Sequence, residues 1–187
     1  MEEAFQRVVI DVVGPLRVCS AKRNCFILTL IDHYTHFSFA DPLPCHEAAF
    51  VARALVDIFS QFGFPTEIMS DNASKFRSTL MKTFVDEFSI TEIQTSPYHP
   101  ATNGSIECFH NTMKNMIRFL SEEFPDAWDE TLPWVLFAHR EAPVETLGFS
   151  PLELMLGCQV NGPLALVKKD WLNYFPTKIK STKKFVI

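Results

Sequence analysis

Two hydrophobic rhythms divide this chain. Residues 7–13, with Val8-Val9-Ile10 at their centre, and Cys25-Phe26-Ile27-Leu28-Thr29-Leu30-Ile31-Asp32 are nearly continuous runs of β-branched, aliphatic and aromatic residues. Such runs mark buried strands. Gly14-Pro15 and Ala21-Lys22-Arg23-Asn24 supply the turns between them. His36-Phe37-Ser38-Phe39-Ala40 alternates as a third strand, expected to stop at Pro42 and Pro44, so the first three strands form an antiparallel meander. The period then lengthens. From Glu47 to Phe62, apolar positions at Val51, Ala54, Leu55, Ile58 and Phe59 recur at helical spacing, and Gly63 and Pro65 stop the helix.

Strand and helix alternate after that. Residues 66–70 predict a fourth strand, Ser78–Phe88 a helix, and Ile90–Gln94 a short fifth strand. The prolines and glycine of Ser96-Pro97-Tyr98-His99-Pro100-Ala101-Thr102-Asn103-Gly104 predict a loop. A long amphipathic helix runs from about Ser105 to Phe124, and a further one from Asp126 to Arg140 carries Trp128, Leu132, Val135, Leu136 and His139 on one side. Ser150-Pro151 and Gly157 frame a short capped helix, with serine as N-cap and proline in its first position. A meander followed by strand–helix alternation predicts an α/β fold built on a mixed sheet. No internal repeat is visible.

Composition narrows the classes. The 187 residues are 47% hydrophobic and include 18 Phe, enough for one domain with a large aromatic core. No apolar run reaches the ~18 residues of a membrane span, and Met1-Glu2-Glu3-Ala4-Phe5 is too acidic and short for a signal peptide. No membrane role is expected. Five scattered cysteines (Cys19, Cys25, Cys45, Cys108, Cys158) predict reduced thiols in an intracellular protein. His33, His36, Cys19 and Cys25 lack usual zinc spacing. Residues 168–187 hold six Lys and one Asp, a local +5; since the whole chain carries −5, residues 1–167 carry −10. An acidic body weighs against non-specific nucleic-acid binding, which Lys and Arg drive by releasing counterions.

Three carboxylates carry the candidate chemistry. Asp11 follows the first apolar run, Asp71 follows the fourth strand, and Glu107 opens the long helix with 35 residues between it and Asp71. Each has a plain reading: a strand-end turn former, or a negative charge suited to a helix's first turn. Together they suit hard divalent ions, which take carboxylate oxygens and leave positions for water and phosphate. Converging carboxylates can hold two ions that clamp both oxygens of an in-line phosphoryl displacement. Asn111 and Lys114 share the helical face of Glu107, and a lysine there is placed for a nucleic-acid phosphate or is simply exposed. His99, in the proline loop, is a candidate substrate contact or an ordinary turn residue. Asp32, before His33-Tyr34-Thr35, reads as structural.

These residues resemble the retroviral-type integrase catalytic core, especially that of Ty3/Gypsy LTR retrotransposons, over about residues 5–171. Val9-Ile10-Asp11-Val12-Val13-Gly14-Pro15-Leu16 is similar to the first motif of that family, Ser70-Asp71-Asn72 with Phe76 to the second, and His99-Pro100-Ala101-Thr102-Asn103-Gly104 leading to Glu107 to the third. Gly148-Phe149-Ser150-Pro151-Leu152-Glu153-Leu154 with Gly157 resembles a segment of the Gypsy lineage. The resemblance implies a ribonuclease-H-like fold, a five-stranded mixed sheet flanked by helices, spanning 1–171, with 172–187 as a lysine-rich tail. It implies metal-dependent DNA 3′-end processing and strand transfer with two Mg²⁺ or Mn²⁺ ions. Asp11 would bridge both ions, and Asp71 and Glu107 would each complete one. Lys114 matches a DNA-contacting lysine, and His99, Asn103 and Asn111 join it as candidate DNA contacts. DNA and further copies of the chain are the expected partners, and the nucleus the expected location.

Ala73, Cys108, Asn111 and His36 depart from the usual Gly and basic residues of the family pattern, and neither the family's zinc module nor its basic C-terminal domain occurs within these residues. Two other readings keep the same fold: a domesticated, catalytically silent module that binds DNA or protein, and a nuclease acting on RNA–DNA hybrids.

Overall fold

The computed structural model describes residues 3–70, 78–94, 100–145 and 147–162, with the backbone alone at 94 and 100–110. Five strands, β1 (Arg7–Val13), β2 (Phe26–Asp32), β3 (Ser38–Leu43), β4 (Glu67–Ser70) and β5 (Thr91–Gln94), form one sheet in the order β3-β2-β1-β4-β5. The first three pair antiparallel, as the short turns require, while β1–β4 and β4–β5 pair parallel. The sheet is therefore mixed, and β1 is its central strand. Asp11 therefore lies on the middle strand of the sheet.

Side-chain alternation divides β1 and β2 between two cores. Val8, Ile10, Val12, Leu28 and Leu30 point to one face, packed with α1 (Ala48–Phe62) and α2 (Thr79–Glu87). Ile27 and Ile31 point to the other, packed with α3 (Pro100–Glu123) and α4 (Trp128–Glu141). β2 is thus buried on both sides and β1 on one side with partial cover on the other, which is why their sequences read as nearly unbroken apolar runs. Asp11 shares the odd-numbered parity of Val9, so it faces the α3–α4 side. There Met113, Ile117 and Leu120 form the buried stripe of α3, at spacings of four and three.

Two expectations are corrected. β3 does not stop at Pro42: it continues to Leu43, with Pro42 opposite Ile27. β3 is an edge strand with a single partner, where a residue without an N–H is tolerated. The helix expected from Ser105 begins at Pro100, so Pro100–Gly104 is helical. Proline suits the first helical position, where its missing N–H would have no intrahelical partner. The short helix α5 (Pro151–Leu156) matches its sequence reading. The Ser150 hydroxyl accepts from the Glu153 N–H at 3.2 Å, the Glu153 carboxylate accepts from the Ser150 N–H at 3.0 Å, and Gly157 closes the helix with φ 66°.

The cysteine expectation also changes. Cys19 and Cys25 are joined by a disulfide, while Cys45 and Cys158 are free. The Leu16 N–H donating to the Cys25 carbonyl folds the β1–β2 connection back on itself and brings the two cysteines together. No described helix is long and apolar enough to cross a membrane. The lysine-rich segment 172–187 lies outside the described residues.

Candidate active site

The site is built around Asp11. Its Oδ1 accepts from the Val12 N–H at 2.7 Å, which orients the carboxylate. Its Oδ2 lies 2.5 Å from the Lys114 ammonium, and both side chains are largely covered, at 19% and 23% exposure. Such cover screens the pair less than water would. Opposite Asp11 on β2, the buried Thr29 donates its hydroxyl to the Asp11 carbonyl at 3.1 Å, holding the strand pair at this position.

Neighbouring elements converge here. β4 ends at Ser70, which pairs with Ile10, the residue before Asp11. Asp71 follows in sequence and lies outside the described residues, as does His99. On α3, position 107 precedes Lys114 by seven residues, about two turns, and therefore shares its helical face. The structure describes the backbone of Glu107 and Asn103 and not their side chains. Asn111 is exposed on the same helix. Of the predicted site residues, then, Asp11 and Lys114 are in direct contact, Asn111 stands open to solvent, and Glu107 and Asn103 are placed by their helix.

The Asp11–Lys114 contact was not legible from spacing, because the two residues meet only when the Met113–Ile117–Leu120 stripe docks on the sheet. It also bears on metal binding. A divalent ion of the Mg²⁺ type takes carboxylate oxygens, and Asp11 presents one such oxygen to a cation already. The donor chemistry at Asp11 therefore fits a metal ion, with Asp71 and Glu107 as the further carboxylates in sequence. Among the described residues no group of three His, Cys, Asp or Glu side chains is placed to hold a metal ion.

Asp32 has the structural part expected of it. It is fully buried and accepts from the Phe5 N–H, the Thr35 N–H and the Thr35 hydroxyl. His36 is buried with φ 61°, a left-handed conformation in which His is more often found than most side chains. Burial, and then the charge of His33, push its pKa down against the opposing pull of Asp32. His36 thus sits buried inside the turn that follows β2.

Comparison with known proteins places this geometry in a lineage. Residues 2–100 match the family model described as the integrase core domain. The match includes the positions of Asp11 and Asp71 and ends before Glu107. The chain is 28% identical over 164 residues to the retrovirus-related Pol polyprotein from transposon 412 of Drosophila melanogaster, covering 87% of this chain and 13% of that protein. It is also 28% identical over 144 residues to the Gypsy retrotransposon integrase-like protein 1 of Rattus norvegicus, covering 77% of this chain and 27% of that protein. The chain thus spans a small fraction of the length of these relatives. Among solved structures, the HTLV-2 integrase catalytic core domain in complex with magnesium (trimeric form) superposes with a TM-score of 0.62 at 15% identity, over 81% of this chain and 96% of that one. At that identity the likeness establishes the fold, which is ribonuclease-H-like, and the matched model establishes the lineage: this chain belongs to the integrase core domain family.

Proposed function

We propose that the chain is the core of an integrase-type polynucleotidyl transferase that processes DNA 3′ ends and joins them to a target duplex. The observation that carries this reading is the position of Asp11: central in the sheet, beside the end of β4, with its carboxylate turned to α3 and a cation against it. Asp11, Asp71 and Glu107 would hold Mg²⁺ or Mn²⁺, two ions in all. When bound, these ions neutralise charge on the phosphoryl group and on the attacking and leaving oxygens.

The protein's part is positioning. Water or a DNA 3′-hydroxyl attacks the phosphorus in line, a new P–O bond forms, and the bond to the departing 3′-oxygen breaks, leaving that strand with a 3′-hydroxyl. A central strand fixed on both faces keeps Asp11 in one place, so the arrangement needs little reorganisation during reaction. Lys114, Asn111, Asn103 and His99 are the proposed DNA contacts. Self-association fits a lineage in which the HTLV-2 core occurs in a trimeric form, and a nuclear site of action follows from a DNA substrate.

Calorimetric titration of Mn²⁺ and Mg²⁺ into the chain, beside an Asp71→Asn variant, tests the metal set. Saturable binding that the variant abolishes is expected. Equal heats from the two proteins would remove the carboxylate site from the proposal. Metal binding without nicking or joining of duplex oligonucleotides would instead favour a silent module that binds DNA or protein.

A further inference from the structure

The Asp11–Lys114 pair has a use beyond holding α3 to the sheet. The ammonium lies on the carboxylate oxygen that a divalent ion would take, 2.5 Å from Oδ2, while Oδ1 is occupied by the Val12 N–H. Both charged groups are more than three-quarters covered. A lysine ammonium and a divalent ion cannot share one partly buried oxygen without strong repulsion, because like charges a few ångströms apart in a medium less polar than water are poorly screened. We propose that Lys114 is a resident counter-cation: it neutralises Asp11 while the site lacks a divalent ion, and it is exchanged for the ion on loading. This inference rests on the reading of Asp11 as a metal ligand.

Exchange has a consequence for order of assembly. Lys114 stands on a flexible four-carbon stem, so its ammonium can leave Oδ2 without movement of α3. A released ammonium is a point charge on the helix face that also carries position 107, where a phosphate can receive it. Any anion that draws Lys114 away lowers the cost of ion entry at Asp11, and by linkage the ion favours binding of that anion to the same degree. The pair therefore couples metal loading to phosphate binding through one side chain.

The test is Mn²⁺ titration at fixed pH and ionic strength into the full chain and its Lys114→Met, Lys114→Arg and Asp11→Asn variants, with thermal unfolding followed alongside. Removing the competing charge in Lys114→Met is expected to tighten Mn²⁺ binding by up to about fivefold. Lys114→Arg, which retains a cation, is expected to stay near wild type, and Asp11→Asn to lose binding. Should Lys114→Met fail to fold, Lys114→Gln removes the same charge with a polar end and carries the same expectation. Unchanged or weaker binding in the neutral variants, with Asp11→Asn inactive in binding, would overturn the exchange and leave the metal-ligand reading in place. Wild-type affinity in Asp11→Asn would overturn both.

Discussion

The Asp32 carboxylate accepts from the Phe5 N–H at 2.9 Å, joining the segment before β1 to the end of β2. Its other oxygen takes the Thr35 N–H at 2.9 Å and the Thr35 hydroxyl at 2.6 Å. The side chain is completely buried, so these donors have no water to turn to if it is removed. Asp32→Ala is expected to cost about 3 kcal/mol in stability, the loss of several buried hydrogen bonds to a charged acceptor. Urea unfolding measures it directly; a loss below about 1 kcal/mol would contradict the structural assignment.

Acid should weaken the fold well above the carboxylate range. Burial, helped by the Arg7 charge and opposed by Asp32, depresses the pKa of His33, and burial helped by His33 depresses that of His36. The Nε2 of His33 is buried without a hydrogen-bond partner, which adds to the cost of charging the ring. Above the ordinary value of 6.5 both states are neutral at these residues; below it the unfolded chain takes up protons that the folded chain refuses. Stability is thus complete above pH 6.5 and falls as pH drops through the depressed folded values. Asp41, raised by burial and then by the charge of Asp57, acts in the opposite sense between 3.8 and its own folded value. Melting temperatures measured at pH 7.5, 6.5 and 5.5 should therefore decline chiefly over the step from 6.5 to 5.5, less steeply in His36→Asn, which tolerates the left-handed backbone. A flat profile for the parent protein would refute this.

The Cys19–Cys25 disulfide closes a small ring in the β1–β2 connection, with six residues of sequence separation. Cys19 is exposed, so a dithiol reductant reaches it. Alkylation under non-reducing conditions should leave these two cysteines unlabelled, and labelling after reduction should gain two groups. The loop-closure relation gives about 2 kcal/mol as the stability lost on reduction. Equal labelling with and without reductant would show the pair to be free thiols.

The sequence made most of this architecture legible because its signals are local. Continuous apolar runs identified β1 and β2, the stripe from Val51 to Phe59 identified α1, and Ser150 with Gly157 set both ends of α5. What escaped depends on neighbours that sequence does not display. Pro42 can sit inside β3 only because β3 has one partner, and Pro100 can begin α3 only because a helix start does not need its N–H. The carboxylate at Asp11 was a candidate from its position after an apolar run, but its lysine partner required knowledge of how α3 crosses the sheet. The pairing of Cys19 with Cys25 likewise followed from a backbone turn and not from any cysteine motif.

Gly14 offers the sharpest test of how closely β1 is held behind Asp11. It leaves the strand with φ 135°, and a Cβ added there would stand 2.6 Å from Cδ1 of Phe26 and 2.9 Å from the Cys25 carbonyl oxygen. The second contact is with backbone, which cannot turn aside as a side chain can. Gly157 provides the control: its φ of 66° is also left-handed, but nothing lies within 4 Å of an added Cβ. Gly157→Ala should therefore cost about 1 kcal/mol, the conformational penalty alone. Gly14→Ala adds steric displacement of the β1–β2 turn and should cost about 3 kcal/mol. Denaturant midpoints of the two variants decide it. Because Asp11 lies three residues before Gly14, displacement of the turn should also weaken Mn²⁺ binding in the folded fraction of Gly14→Ala and leave it unchanged in Gly157→Ala. Equal stability losses in the two variants would mean that the turn yields without strain and takes no part in holding Asp11.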